Sequence, residues 1–190
     1  MKKWLFVAFC LLAGHGYSQK RTYSLADMPF ELDSASGGIV YRGMVEVPGV
    51  MADQLYLRAR SSLQNLFPKD NQVIKSADQA KGLVTGKGRL FIPITNSQTE
   101  VPNSRAQAYY EVPVEIQVKN GLFKYRIASI SIVNRGLKTS LDREVSKSAA
   151  DMRQHVLSEY EYQRSLRSVQ PFVELINALK QRMIARSDTQ

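Results

Sequence analysis

The chain has 190 residues and a formal net charge of +9, from 26 Lys and Arg against 17 Asp and Glu. That length gives one domain with a sizeable core and does not require two. A single cysteine excludes an internal disulfide framework, and the basic excess is spread thinly, without the dense basic block of a nucleic-acid tail.

The chain opens with Lys2 and Lys3, an apolar run from Trp4 to Ala13, and the small residues Gly16 and Ser18 before Gln19. This is the order of a secretory signal peptide, and the run is too short to span a bilayer as a helix. Residues 1–18 are therefore expected to be removed, with cleavage near Ser18/Gln19 and a periplasmic or secreted product. Phe9 ahead of Cys10, and only six residues between Lys3 and Cys10, do not fit a lipoprotein anchor. Cleavage removes the only cysteine and His15, and lowers the net charge from +9 to +7. No later apolar stretch reaches the roughly eighteen residues of a membrane span, so the mature chain is expected to carry none.

Residues 19–37 are polar and rich in small residues and read as a lead-in outside the core. The β-branched and aromatic segment 39–47, closed by Pro48-Gly49, reads as a strand. Ala52, Leu55, Tyr56, Ala59, Leu63 and Leu66 then recur at helical spacing, which predicts a helix over 51–67 that is stopped by Pro68 and buries one face. Two strands follow, over 72–77 and 83–94. Gly86 and Gly88 share the core face of the second, which predicts a bulge or a close packing contact. Residues 95–107 read as a loop.

Segments 112–119 and 122–133 flank Asn120-Gly121, a strong hairpin signal. A two-residue loop pairs Val118 with Phe123, Ile116 with Tyr125 and Val114 with Ile127 on one face. Gln117 meets Lys124 and Glu115 meets Arg126 on the other. Apolar parity switches after Ile127 to Ile130 and Ile132, which predicts a bulge or twist near Ala128-Ser129. The stretch 134–150 reads as a polar insertion. Residues 151–167 read as a thinly striped helix. A final helix over 171–186 carries the stripe Phe172, Leu175, Ile176, Leu179 and Met183, with Pro171 in its first turn.

The order strand, helix, four strands, helix predicts an α+β domain over 38–186: a mostly antiparallel five-stranded sheet with helices 51–67 and 171–186 on one face. The strand with its Pro48-Gly49 turn, Leu55-Tyr56-x-Arg58-Ala59 and the Gly86-Lys87-Gly88 strand resemble the exported bacterial family catalogued as domain of unknown function 4468. The resemblance runs over roughly residues 35–185. It implies a TATA-binding-protein-like fold and brings no activity and no catalytic residues.

The candidates for chemistry are few. After cleavage His155 is the only histidine, in a stretch without a motif, so it reads as a surface or packed residue. A multi-histidine zinc site is then excluded, and neither a metal nor a cofactor is implied. Gly86-Lys87-Gly88 lacks the spacer and Lys-Ser/Thr end of a phosphate loop. Glu111 with Glu115, or Asp142 with Glu144, are the carboxylate pairs that a glycoside-hydrolase type of mechanism would need. DNA binding by this fold uses a saddle of two related halves with apolar wedges, and here there is one half and an export signal.

Strand parity instead places Lys87, Arg89, Phe91, Lys124 and Arg126 on the face away from the helices. They form a candidate surface for an anionic partner: an envelope protein, an acidic glycan or anionic lipid headgroups. The sequence thus favours an exported, non-enzymatic binding or envelope-assembly module. An extracytoplasmic hydrolase using paired carboxylates is the alternative.

Overall fold

The structure is a computed structural model that describes residues 21–92, 108–141 and 157–185. The expected signal peptide, the whole loop 95–107, and Asp142, Glu144 and His155 lie outside the described residues.

The strands are β1 (Glu31–Leu32), β2 (Ile39–Glu46), β3 (Ile74–Asp78), β4 (Leu83–Phe91), β5 (Tyr109–Lys119), β6 (Leu122–Ala128), β7 (Ser131–Asn134) and β8 (Leu137–Ser140). The helices are α1 (Ala52–Leu66) and α2 (Glu159–Ile184). All strand pairs are antiparallel, in the order β1-β2-β6-β5-β4-β3, with β7 bridging β5 and β8. The α+β class and the single helix-covered face stand as expected.

The sheet has eight strands, however, where the sequence predicts five. Part of the difference is the bulge expected at Ala128-Ser129. Val114 pairs with Ile127 and Glu111 with Ser131, so residues 128–130 oppose only 112–113 and the expected strand 122–133 divides into β6 and β7. Ser129 turns the chain at φ 55°, a left-handed conformation that ends β6. Pro113 sits in β5 where the partner changes from β6 to β7. The backbone N–H of Lys87, opposite Pro113, points away to the Val73 carbonyl, so proline's missing donor falls at the bulge and costs no ladder bond.

The other two strands come from segments read as irregular. β8 lies within the expected polar insertion, and its four residues are all exposed, so no apolar alternation marks it. Its hairpin with β7 turns through Arg135 and Gly136, at φ 49° and 81°, the paired left-handed residues of a tight hairpin. β1 belongs to the lead-in read as lying outside the core. Met28 and Phe30 beside it are buried, and they join the cluster that contains Tyr41 and Ile176.

The β5–β6 register is the one expected, from Val118 opposite Phe123 to Val114 opposite Ile127. A second function of its turn is absent from the sequence pattern. α1 has Met51 at its N-cap and no capping side chain of its own, and the Asn120 side-chain oxygen Oδ1 accepts from the Ala52 N–H at 2.9 Å. The Gly121 N–H donates to Val50 and its carbonyl accepts from Val47, which lock the hairpin against the turn that launches α1.

α1 and α2 cover one face of the sheet, and the Arg58 guanidinium donates to the Met183 carbonyl at 3.0 Å. α2 corrects the expectation of two helices divided at Pro171. It is one 26-residue helix that starts at Ser158, where Ser158 and Glu161 form a reciprocal capping box. Pro171 lies inside it. The buried stripe Val169, Phe172, Leu175, Ile176, Leu179 and Met183 runs across the proline, so packing holds the helix despite the lost donor.

Gly86 and Gly88 serve helix packing, and the bulge in the β3–β4 ladder falls opposite Gly86 on the partner strand, where Lys75 is the extra residue of β3. A Cβ on Gly88 would lie 2.0 Å from the Phe67 ring, whereas one on Gly86 would meet the flexible Leu63 side chain at 3.0 Å and the Val73 carbonyl at 3.2 Å. Replacement Gly88→Ala is therefore expected to lower stability by about 3 kcal/mol, at the upper end of the overpacking range. Gly86→Ala should cost clearly less. Urea denaturation of the two variants checks the order.

Candidate functional site

The pleat sends Val84, Gly86, Gly88, Val112, Val114, Ile116, Phe123, Tyr125 and Ile127 towards the helices. The alternate residues form the open face. Lys87, Arg89 and Phe91 project there from β4, and Lys124 and Arg126 from β6, so all five candidates share one face. They do not form one continuous basic patch. β5 lies between the two groups, about 10 Å across the two strand spacings, and presents Glu111 and Glu115 to the same side.

The β4 group is tightly organised. Lys87 Nζ lies 2.7 Å from a Glu111 carboxylate oxygen, and Lys138 of β8 reaches the same oxygen. The Arg89 backbone N–H donates to Asp70 at 2.6 Å, its guanidinium pairs with that carboxylate, and it also donates to the Lys69 carbonyl at 3.2 Å. The guanidinium lies 5.9 Å from the Phe91 ring centre and 5.7 Å from that of Tyr109, and Lys69 Nζ lies 4.8 Å from Phe91. Phe91 and Tyr109 are in tilted contact at 6.0 Å. Two aromatic rings thus have cations within the roughly 6 Å reach of a cation–π contact, an arrangement stabilised by the ring quadrupole. A shallow cleft of about 260 Å³ opens beside them, lined by Asp70, Lys75, Lys87, Arg89 and Glu111.

The β6 group is looser. Arg126 lies opposite Glu115 and reaches Asp33 at 3.7 Å, while Arg42 of β2 pairs with Glu31 at 2.5 Å. Lys124 has no carboxylate partner among the described residues and lies between Gln117 and Met44.

These pairings set the protonation states. Hydrogen bonds from Lys138 and then Lys87 hold the Glu111 carboxyl below its ordinary range, and Glu111 in turn raises Lys138. The Ser36 N–H and hydroxyl, with the Ala35 N–H, hold Asp33 low. Among the described residues every carboxyl with a shift moves downward, which suits ion pairing and opposes the raised pKa of a general acid. No group of three metal-type ligands lies together among the described residues. No described helix is long and apolar enough to cross a membrane.

Sequence parity found the face but missed Lys69, Asp70, Tyr109 and Lys138. Tyr109 and Glu111 have the parity of Glu115 on the same strand, so extending β5 back through Pro113 exposes both. Nothing in the composition of 134–150 marks Lys138 as a strand residue.

Residues 41–132, which hold β2 through the start of β7, match the family model described as a domain of unknown function (DUF4468) with TBP-like fold. A crystal structure of a DUF4468 family protein from Bacteroides ovatus aligns with a TM-score of 0.64 at 16% identity, over 88% of this chain and 96% of that one. A TBP-like protein from Parabacteroides distasonis aligns with a TM-score of 0.46 at 10% identity, over 78% of this chain and 97% of that one. No curated protein matches the chain.

Glu111 is the anion that two lysines share, so Glu111→Gln is expected to cost about 1 kcal/mol at neutral pH. Because its folded pKa is depressed, the contribution is complete above the ordinary value of 4.5 and fades as pH falls through the lower folded value. Denaturation of both forms at pH 7 and at successively lower pH should show the gap narrowing. Residues 41–132 are similar to the DUF4468 family, and the chain has a TBP-like fold.

Proposed function

We propose that the protein is an exported, non-enzymatic binding module that holds an anionic envelope partner on the open face of its sheet. The observation that carries this reading is the Phe91–Tyr109 pair with Arg89 and Lys69 against its rings, on the side away from both helices. Around it Lys69, Lys87, Arg89 and Lys138 stand against two carboxylates, Asp70 and Glu111, which leaves a local positive excess. An acidic glycan suits such a face best: flat rings contact the sugar plane, and fixed cations meet its acid groups. The N-terminal run 1–18 supports the location, since its charge, length and small-residue end are those of a cleaved signal. The depressed carboxyl of Glu111, held by Lys138 and Lys87, counts against the Glu111–Glu115 pair of the hydrolase alternative.

The test uses the exported form, with its N-terminus established by mass as Gln19, on a matrix of acidic polysaccharide. Retention should weaken with salt, because screening shortens the reach of surface charge. Charge reversal at Lys87, Arg89, Lys124 and Arg126 together should abolish it, and Lys124→Glu alone, at an unpaired site that leaves the fold intact, should reduce it. Unchanged retention of the fourfold variant with a native circular dichroism spectrum would sink the proposal.

A further inference from the structure

A second site lies on the other side of the sheet. Between the lead-in, β2 and α2 there is a cavity of about 350 Å³, within the roughly 300–1,000 Å³ of small-molecule pockets. Met28, Phe30, Val173 and Ile176 give it apolar walls. Asn177 and Lys180 also line it, and with Val173 and Ile176 they fall at positions i, i+3, i+4 and i+7 of α2, which is one helix face.

The polar groups there are mostly hydrogen-bond donors. Lys180 Nζ rests 5.5 Å from the Tyr125 ring centre and has no carboxylate partner among the described residues. Tyr125 can lie in this place because β2 has Gly43 beneath it, where a Cβ would stand 2.6 Å from the phenol oxygen. Glu31 is the one acid in the lining, and Arg42 already holds its carboxylate at 2.5 Å. Tyr41, another wall residue, is 3% exposed, and its hydroxyl has no hydrogen-bond partner among the described residues.

We propose that this cavity binds a small alkyl carboxylate. The carboxylate sits at Lys180 and Asn177, where an ammonium and an amide donate to it, and the alkyl chain lies against Met28, Phe30 and Ile176. The cavity volume limits the chain to a short or medium length and leaves no room for a diacyl lipid. The site is independent of the open face, so charge reversal at Lys87, Arg89, Lys124 and Arg126 should leave it intact.

Calorimetric titration of the mature chain with sodium octanoate tests the idea. Saturable one-site binding is expected, weakened at least about tenfold by Lys180→Glu, a substitution at a partly exposed helix position that should leave the thermal midpoint nearly unchanged. Asn177→Ala should weaken it less. Octanol, with the same chain and no charge, should bind at least about tenfold more weakly. Absence of saturable binding, equal affinity for octanol, or indifference to Lys180→Glu would each overturn the proposal. Flotation with phosphatidylglycerol vesicles separates the sources: a free carboxylate ligand predicts none, and Lys180-dependent flotation would assign the site to lipid headgroups and overturn it.

Discussion

The contact on which the rest of this molecule turns is the Phe67 ring seated on Gly88. Phe67 ends α1, is fully buried, and meets a strand position with no side chain. Burying such a ring contributes a few kcal/mol, but its geometric effect is the larger one. Once Gly88 faces the helix, Lys87 and Arg89 must face the other way. Asp70 follows three residues later, its N–H bonded to the Phe67 carbonyl, and there it reaches Arg89 through both backbone and guanidinium. One core contact therefore positions the cationic edge of the open face and supplies its counter-ion.

That face is a lattice of opposite charges, with carboxylates from β5 set between cations from β4, β6 and β8. Such pairing keeps a sheet with one bare side from acting as an undirected basic surface. The remaining excess is concentrated where the rings are, at the β4–β5–β8 end. Phe91 and Tyr109 are the last and first residues of their strands, and they give that end a flat apolar element that the β6 end lacks.

Where local chemistry and tertiary structure agree, the sequence is easy to read. Asn120-Gly121 flanked by alternating apolar residues fixes the β5–β6 register, because a slip of one residue would bury Lys124 and Arg126. The α1 stripe is equally direct, with Leu55, Tyr56, Ala59 and Leu63 buried as their spacing predicts. The bulge at 128–130 shows in the change of parity between Ile127 and Ile130. The misses arise where an element draws its stability from elsewhere. β8 is wholly exposed and is held by its ladder to β7 and by a left-handed turn, neither of which leaves an apolar period. Pro171 looks like a helix start, yet the capping box at Ser158 and Glu161 begins the helix, and core packing carries it through the proline. For the candidate face, parity gives the direction of each side chain. It does not give the carboxylate that a distant loop brings to meet it, as with Asp70 and Asp33.

The Asn120 cap has a consequence for how the chain reaches this state. The residue that satisfies the first turn of α1 lies 68 positions further on, so during synthesis α1 emerges long before its cap. Helices of this length are marginal in water by themselves. α1 cannot mature as a local unit and must wait for the β5–β6 hairpin to close behind it. A chain built this way completes the first turn of α1 only once residues up to the β5–β6 turn are available.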